Sequence, residues 1–117
     1  MSGYESDREY EIKFSSHARC RLAELKRYIA EVLGEPQAGM NTVNSLIDAA
    51  DSLRTLPRRR GVIGLTGSGL EVRSIRSGKY VIPYVIQDET VFVLDVLYGK
   101  SDTDAKLRQI LAEEIVG

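Results

Sequence analysis

Between Val72 and Tyr98 the chain reads VRSIRSGKYVIPYVIQDETVFVLDVLY. Short β-branched and aromatic runs are separated by two turn signals, Ser77-Gly78 and Asp88-Glu89. This alternation predicts a three-strand meander. In the middle strand Tyr80, Ile82, Tyr84 and Ile86 share one face, and Val81, Pro83 and Val85 share the other. Apolar residues on both faces require both to be largely covered, so the rest of the chain must supply cover. Pro83 cannot donate to a ladder, which predicts a bulge or an unpaired position there. The third run, VFVLDVLY, is the most apolar in the chain and is predicted to be central. Asp95 interrupts it. A buried acid needs an arginine or backbone donors, and Arg73 or Arg76 is the candidate partner.

The cover comes from the segment before the meander. Tyr10 to Phe14 alternates apolar and polar residues, as a short half-buried strand does. Ser15 or Ser16 then caps a helix to about Leu33, with Ala18, Leu22, Leu25, Ile29 and Val32 as its stripe. Gly34 supplies a left-handed stop and Pro36 follows. A second helix is predicted from Gln37 to Leu56, with Met40, Val43, Ile47, Ala50 and Leu53 as its stripe and Leu46 alongside. Pro57 ends it, because proline disfavours helix in the residue before it. The short link makes the two helices an antiparallel hairpin. Arg58 to Gly69 reads as a linker, either a plain loop or a glycine-lined phosphate cradle, with Val62, Ile63 and Leu65 as a possible small strand. Gly99 breaks the last strand. Ser101 or Asp102 caps a final helix to about Val116, whose apolar side is Leu107, Ile110, Leu111 and Ile115. Met1 to Glu9 is expected to be a flexible lead.

A chain of 117 residues is expected to form one domain. No run approaches the ~18 apolar residues of a membrane span, and the N-terminus lacks a basic-then-apolar signal, so a cytoplasmic protein is expected. The single Cys20 excludes an internal disulfide and a cysteine-based zinc site. One histidine and no convincing pair of acids leave no metal or cofactor expected. Charge is unevenly placed. From Arg54 to Lys79 seven cations face the single acid Glu71, a local charge of +6 in a chain of net −1, so the remainder sums to −7. That asymmetry points either to an anionic partner or to a solvated arginine-rich loop.

His17 falls at a helix start, and no serine is marked as a nucleophile, so a Ser–His–Asp triad is not supported. The residues left for chemistry are Arg73, Arg76, Lys79, Tyr98 and Lys100. Arginine forks bind phosphate oxygens at two points, and a tyrosine can stack on a base or move a proton. The alternative is a sheet rim of solubilising charge ending in an aromatic.

Four stretches in order resemble the ParE/RelE superfamily of type II toxin–antitoxin toxins. They are YEIKFSSHARCRLAELKRYI (Tyr10 to Ile29), GEPQAG (Gly34 to Gly39), SLRTLPRRRG (Ser52 to Gly61) and EVRSIRSGKYVIPYVIQDETVFVLDVLYG (Glu71 to Gly99). The resemblance implies an α+β fold of order β-α-α-β-β-β with a C-terminal helix. Its small antiparallel-rich sheet would be packed by the helix hairpin. Leu53-x-x-Leu56-Pro57 looks ParE-like, a branch that poisons DNA gyrase by binding. The RelE-like branch instead cuts messenger RNA on the ribosome without a metal. In that reading Arg73, Arg76, Tyr98 and Lys100 would be the catalytic set. That branch usually carries an arginine and an aromatic acid–base residue where this chain has Ser101 and Leu107. The resemblance also allows a degenerate member that only binds antitoxin. Target or phosphate contacts would come from Arg58, Arg59, Arg60, Arg73, Arg76 and Lys79. A cognate antitoxin would land on Leu25, Tyr28, Leu46 and Leu53, if the helix stripes exceed what the sheet covers.

Overall fold

Strand β1 spans Glu11–Phe14, and Ser15 follows as the predicted cap: its hydroxyl accepts from Ala18 N at 3.0 Å. The computed structural model describes residues 9–99. Residues 1–8 of the expected lead, Lys100 and the expected C-terminal helix lie outside the described residues. Helix α1 runs Ser16–Arg27 and continues as a π-helical turn, Tyr28–Val32. Gly34 takes the left-handed conformation (φ 71°) that the link requires. Helix α2 runs Pro36–Asp51 with proline in its first turn, where no N–H is needed. A 3-10 turn, Ser52–Arg54, carries the chain to Leu56, which takes a left-handed conformation (φ 50°) ahead of Pro57.

The predicted meander forms. Its strands are β3 (Glu71–Ser77), β4 (Tyr80–Gln87) and β5 (Thr90–Val93), preceded by β2 (Val62–Leu65) and followed by β6 (Leu97–Tyr98). The sheet order is β1-β5-β4-β3-β2, with β6 also on β4. Among the described residues only β1 and β5 pair in parallel; the other pairings are antiparallel. The helix hairpin covers one face. Leu22, Leu46, Ala50 and Leu53 pack there on Ile75, Ile82, Tyr84, Val91 and Val93. Val72, Val85 and Leu94 form a smaller cluster on the other face. Each fully buried leucine or valine contributes about 1.5–3 kcal/mol.

Three expectations need correction. The α2 stripe is rotated: Gly39, Leu46, Ala50 and Leu53 are buried, whereas Met40 and Ile47 are exposed. Gly39 sets that rotation, because α2 crosses α1 there so closely that a β-carbon would sit 2.9 Å from the Lys26 carbonyl oxygen. Val32, placed in the α1 stripe, is also exposed, since the π turn swings it off the buried face. Finally, the third run is not continuous. Val93 opposes Tyr84, but Leu97 opposes Val81, so one extra residue bulges out between β5 and β6. The irregularity expected at Pro83 therefore lies across from it. Pro83 stays in register with Ser74, and its carbonyl accepts from Leu94 N at 2.9 Å.

Candidate functional site

Asp95 sits in that bulge, 3% exposed. Its partner is neither Arg73 nor Arg76. Arg21 of α1 donates from Nε at 3.1 Å and from Nη2 at 3.4 Å to the two carboxylate oxygens. Val96 N donates to Oδ1 at 2.7 Å, and His17 Nε2 lies 3.4 Å from Oδ2. The hydrogen bond from Arg21 to Asp95 holds the guanidinium above its usual range. Ser15 Oγ adds a bond to Leu94 O at 2.9 Å. The bulge is thus pinned to the first turns of α1, a link that sequence proximity could not reveal.

Arg73 and Tyr84 face each other across β3 and β4 on the helix-covered side. Tyr84 Oη donates to Pro57 O at 2.6 Å. Burial pushes its hydroxyl up to about 12, against the opposing pull of Arg73 and Arg60. Arg73 Nη1 donates to the carbonyls of Arg58 and Arg60, and Nη2 pairs with Glu71 Oε1 at 3.0 Å. The two side chains stitch down Pro57 to Arg60, leaving Arg58, Arg59 and Arg60 exposed in a row. In the glycine-rich stretch beyond, part of the backbone is spent on its own turn. Thr66 N and Gly69 N form backbone bonds inside its own turn, and Thr66 Oγ1 accepts from Leu70 N.

Arg73 and Arg76 are three residues apart on one strand, so they point to opposite faces. Arg76 opposes Val81, next to Gly99. Tyr98 opposes Tyr80 on the helix side, ring to ring edgewise at 5.6 Å. Burial and then Tyr98 raise the Tyr80 hydroxyl. Of the residues that a nuclease would use on the RelE-like reading, Arg73 is engaged by the loop, Arg76 and Tyr98 lie on opposite faces, and Lys100 is outside the described residues. Lys79 is exposed at the β3–β4 turn. Tyr98 instead joins Arg21, Leu25, Tyr28, Tyr80 and Val96 around an open cleft of about 220 Å³.

Of the four residues expected to receive an antitoxin, two are exposed to a partner and two are not. Leu46 and Leu53 are 1% and 2% exposed and belong to the core. Leu25 is half-buried at the cleft, and Tyr28 is 52% exposed. Val32, Leu33, Met40 and Ile47 are the exposed apolar residues that sequence periodicity had placed inside or passed over. Their signal was the Gly39 contact and the π turn, neither of which a helical stripe encodes. Among the described residues no helix is long and apolar enough to cross a membrane.

This architecture is similar to that of solved toxin–antitoxin complexes. A chromosomal ParDE system from P. aeruginosa matches with a TM-score of 0.63 at 15% identity, over 77% of this chain and 96% of that one. The RelBE2 toxin–antitoxin complex from Mycobacterium tuberculosis matches with 0.55 at 26% identity, over 78% and 92%. The archaeal RelE–RelB complex from Pyrococcus horikoshii OT3 matches with 0.54 at 21% identity, over 80% and 98%. No curated protein matches. The model of the ParE toxin of the type II toxin–antitoxin system parDE matches residues 12–103. With that match spanning most of its length, the chain belongs to the ParE toxin family of type II toxin–antitoxin systems.

Proposed function

We propose that this toxin acts by binding rather than by cutting RNA, with DNA gyrase as its target and a cognate antitoxin as its regulator. The observation that carries the reading is the dispersal of the basic residues a nuclease would need. Arg73 is committed to the Arg58 and Arg60 carbonyls, and Arg76 and Tyr98 occupy opposite faces of the sheet. General acid–base work requires such groups within hydrogen-bond reach of one substrate. Target contacts are assigned to Arg58, Arg59 and Arg60, with Arg76 and Lys79 at the sheet end. Arg73 is reassigned from contact to positioning.

The antitoxin is assigned to the exposed side of the hairpin, through Tyr28, Val32, Leu33 and Met40, with Leu25 at the cleft. An amphipathic helix laid on such a groove reads it through apolar anchors spaced by helical turns. The alternative, a RelE-like ribonuclease, draws on one feature: the open cleft at Tyr98, where a base could stack against Tyr28 and Tyr98.

Expression in a bacterium separates the readings. Gyrase poisoning predicts DNA-damage induction with intact message, together with loss of supercoiling by purified gyrase. Codon-linked cuts in primer extension would replace this reading with the nuclease. Growth without any defect would leave only antitoxin binding.

A further inference from the structure

A second cleft, of about 280 Å³, opens between α2 and the β3–β4 turn. Thr42 and Ser45 line it from α2, Ser77 and Lys79 line it from the hairpin, and Tyr80 forms one wall. Thr42 and Ser45 are three positions apart and so share one helix face. Leu46, next to Ser45, anchors the helix in the core. Ser77 and Tyr80 are register partners that close the hairpin, and Gly78 turns the chain between them at φ 57°. The turn is tied down, because Lys79 O accepts from Gly99 N at 2.7 Å. The walls are therefore preorganised, and a ligand loses little to ordering them.

The polar side chains of this cleft are unengaged. Serine and threonine on a helix commonly bond back to a carbonyl of the preceding turn. Ser52 at the end of α2 does so, Oγ to Ala49 O at 2.6 Å. Among the described residues the hydroxyls of Thr42, Ser45 and Ser77 take no such partner, and Lys79 forms no ion pair. None of the described residues lining the cleft is an acid. Three hydroxyls and one ammonium thus line a cavity without a negative charge, a set that suits an anion. A carboxylate is best matched by a guanidinium fork, which the lining lacks; lysine binds phosphate as a point charge. A phosphodiester has two free oxygens and a chain leaving on both sides, whereas a monoester has three free oxygens and one body. Tyr80 offers that body an aromatic wall. We propose that this cleft binds a small phosphomonoester, with its phosphate on Thr42, Ser45, Ser77 and Lys79 and its organic part against Tyr80. The inference does not rest on the gyrase reading, on the arginine row or on the hairpin surface assigned to the antitoxin.

The test titrates the full chain with phenyl phosphate, diphenyl phosphate, phenol and inorganic phosphate, followed through amide chemical shifts. Phenyl phosphate is expected to move the amides of Thr42, Ser45 and Gly78 and to bind at least about tenfold more tightly than phenol. Inorganic phosphate should move the same amides but bind more weakly, because it has no body to set against Tyr80. Lys79→Gln should weaken phenyl phosphate about tenfold and flatten its salt dependence. Thr42→Val combined with Ser45→Ala should weaken it by about tenfold or more at unchanged Tm. If that double variant unfolds, Lys79→Gln at the exposed turn carries the comparison. Four results would overturn the proposal: shifts confined to Arg58, Arg59 and Arg60, phenol binding as well as phenyl phosphate, diphenyl phosphate matching the monoester at these amides, or a phosphotyrosine peptide binding more tightly than the free monoester. All of them read ligand binding rather than growth or supercoiling, so this inference and the gyrase reading fail separately.

Discussion

Two buried side chains show how single residues fix this molecule. Asp95 meets Arg21, His17 and the Val96 N–H. Removing Arg21 leaves a carboxylate in the bulge with fewer donors. Arg21 is one-third exposed, so water replaces part of the loss. Arg21→Met is therefore expected to cost about 1–3 kcal/mol in chemical denaturation. Asp95→Asn in that background should recover part of it, because the buried charge is then gone.

Tyr84 offers a pH test. Its hydroxyl is pushed up to about 12 in the fold, against an unfolded value of about 10. The folded state thus holds a proton that the unfolded chain releases. The associated stability is fully present below about pH 10 and is lost as pH rises toward about 12, by roughly 2–3 kcal/mol. Tyr84→Phe should remove its share of that alkaline dependence, leaving the part that Tyr80 carries, while also losing the bond to Pro57 O. A wild-type denaturation midpoint that stays flat across this window would contradict the assignment.

Among the elements, those governed by local chemistry were legible in the sequence. Ser15 capped, Gly34 stopped a helix, and the meander turned at Asp88-Glu89 as read and at Gly78-Lys79, one residue later than read; the second helix, read to Leu56, ends at Asp51 with a 3-10 turn beyond it. Elements governed by distant contacts were not. The partner of Asp95 lies 74 positions away, and the rotation of α2 follows from one glycine against the backbone of α1. Of the site, the arginine row was legible as charge. Its support by Arg73 was not, because a carbonyl accepting from a side chain leaves no compositional trace. Gly39→Ala tests the rotation. The added methyl would sit 2.9 Å from the Lys26 carbonyl oxygen, with Ala30 N and Ile29 Cβ at 3.6 Å, so the helices must part. A loss of about 1–3 kcal/mol is expected in thermal or urea unfolding, despite the better helix propensity of alanine. Gly99→Ala, facing the Lys79 carbonyl at the same 2.9 Å, should likewise destabilise the end of β6.

Across the whole molecule, Met40 lies near the start of α2 and the arginine row lies beyond its end. A helix of this length separates them by roughly 20 Å. Two partners could therefore be held at once, and substitutions should uncouple them. Met40→Lys with Tyr28→Lys is expected to release the antitoxin in a pull-down while leaving growth inhibition intact. Arg59→Glu should do the reverse, relieving inhibition with the antitoxin complex preserved. Loss of both properties in either variant, at unchanged Tm, would mean that one surface serves both.

The extra residue between β5 and β6 has one more effect. Side chains on a strand alternate sides, so an insertion reverses parity for everything downstream. Val91 and Val93 face the helices, yet so does Tyr98, an odd number of positions further on. Deleting a single residue from Leu94 to Val96 would make Leu97 and Tyr98 trade places. The cleft would then lose its aromatic wall to the opposite side of the sheet, with every amino acid that forms it still in the chain.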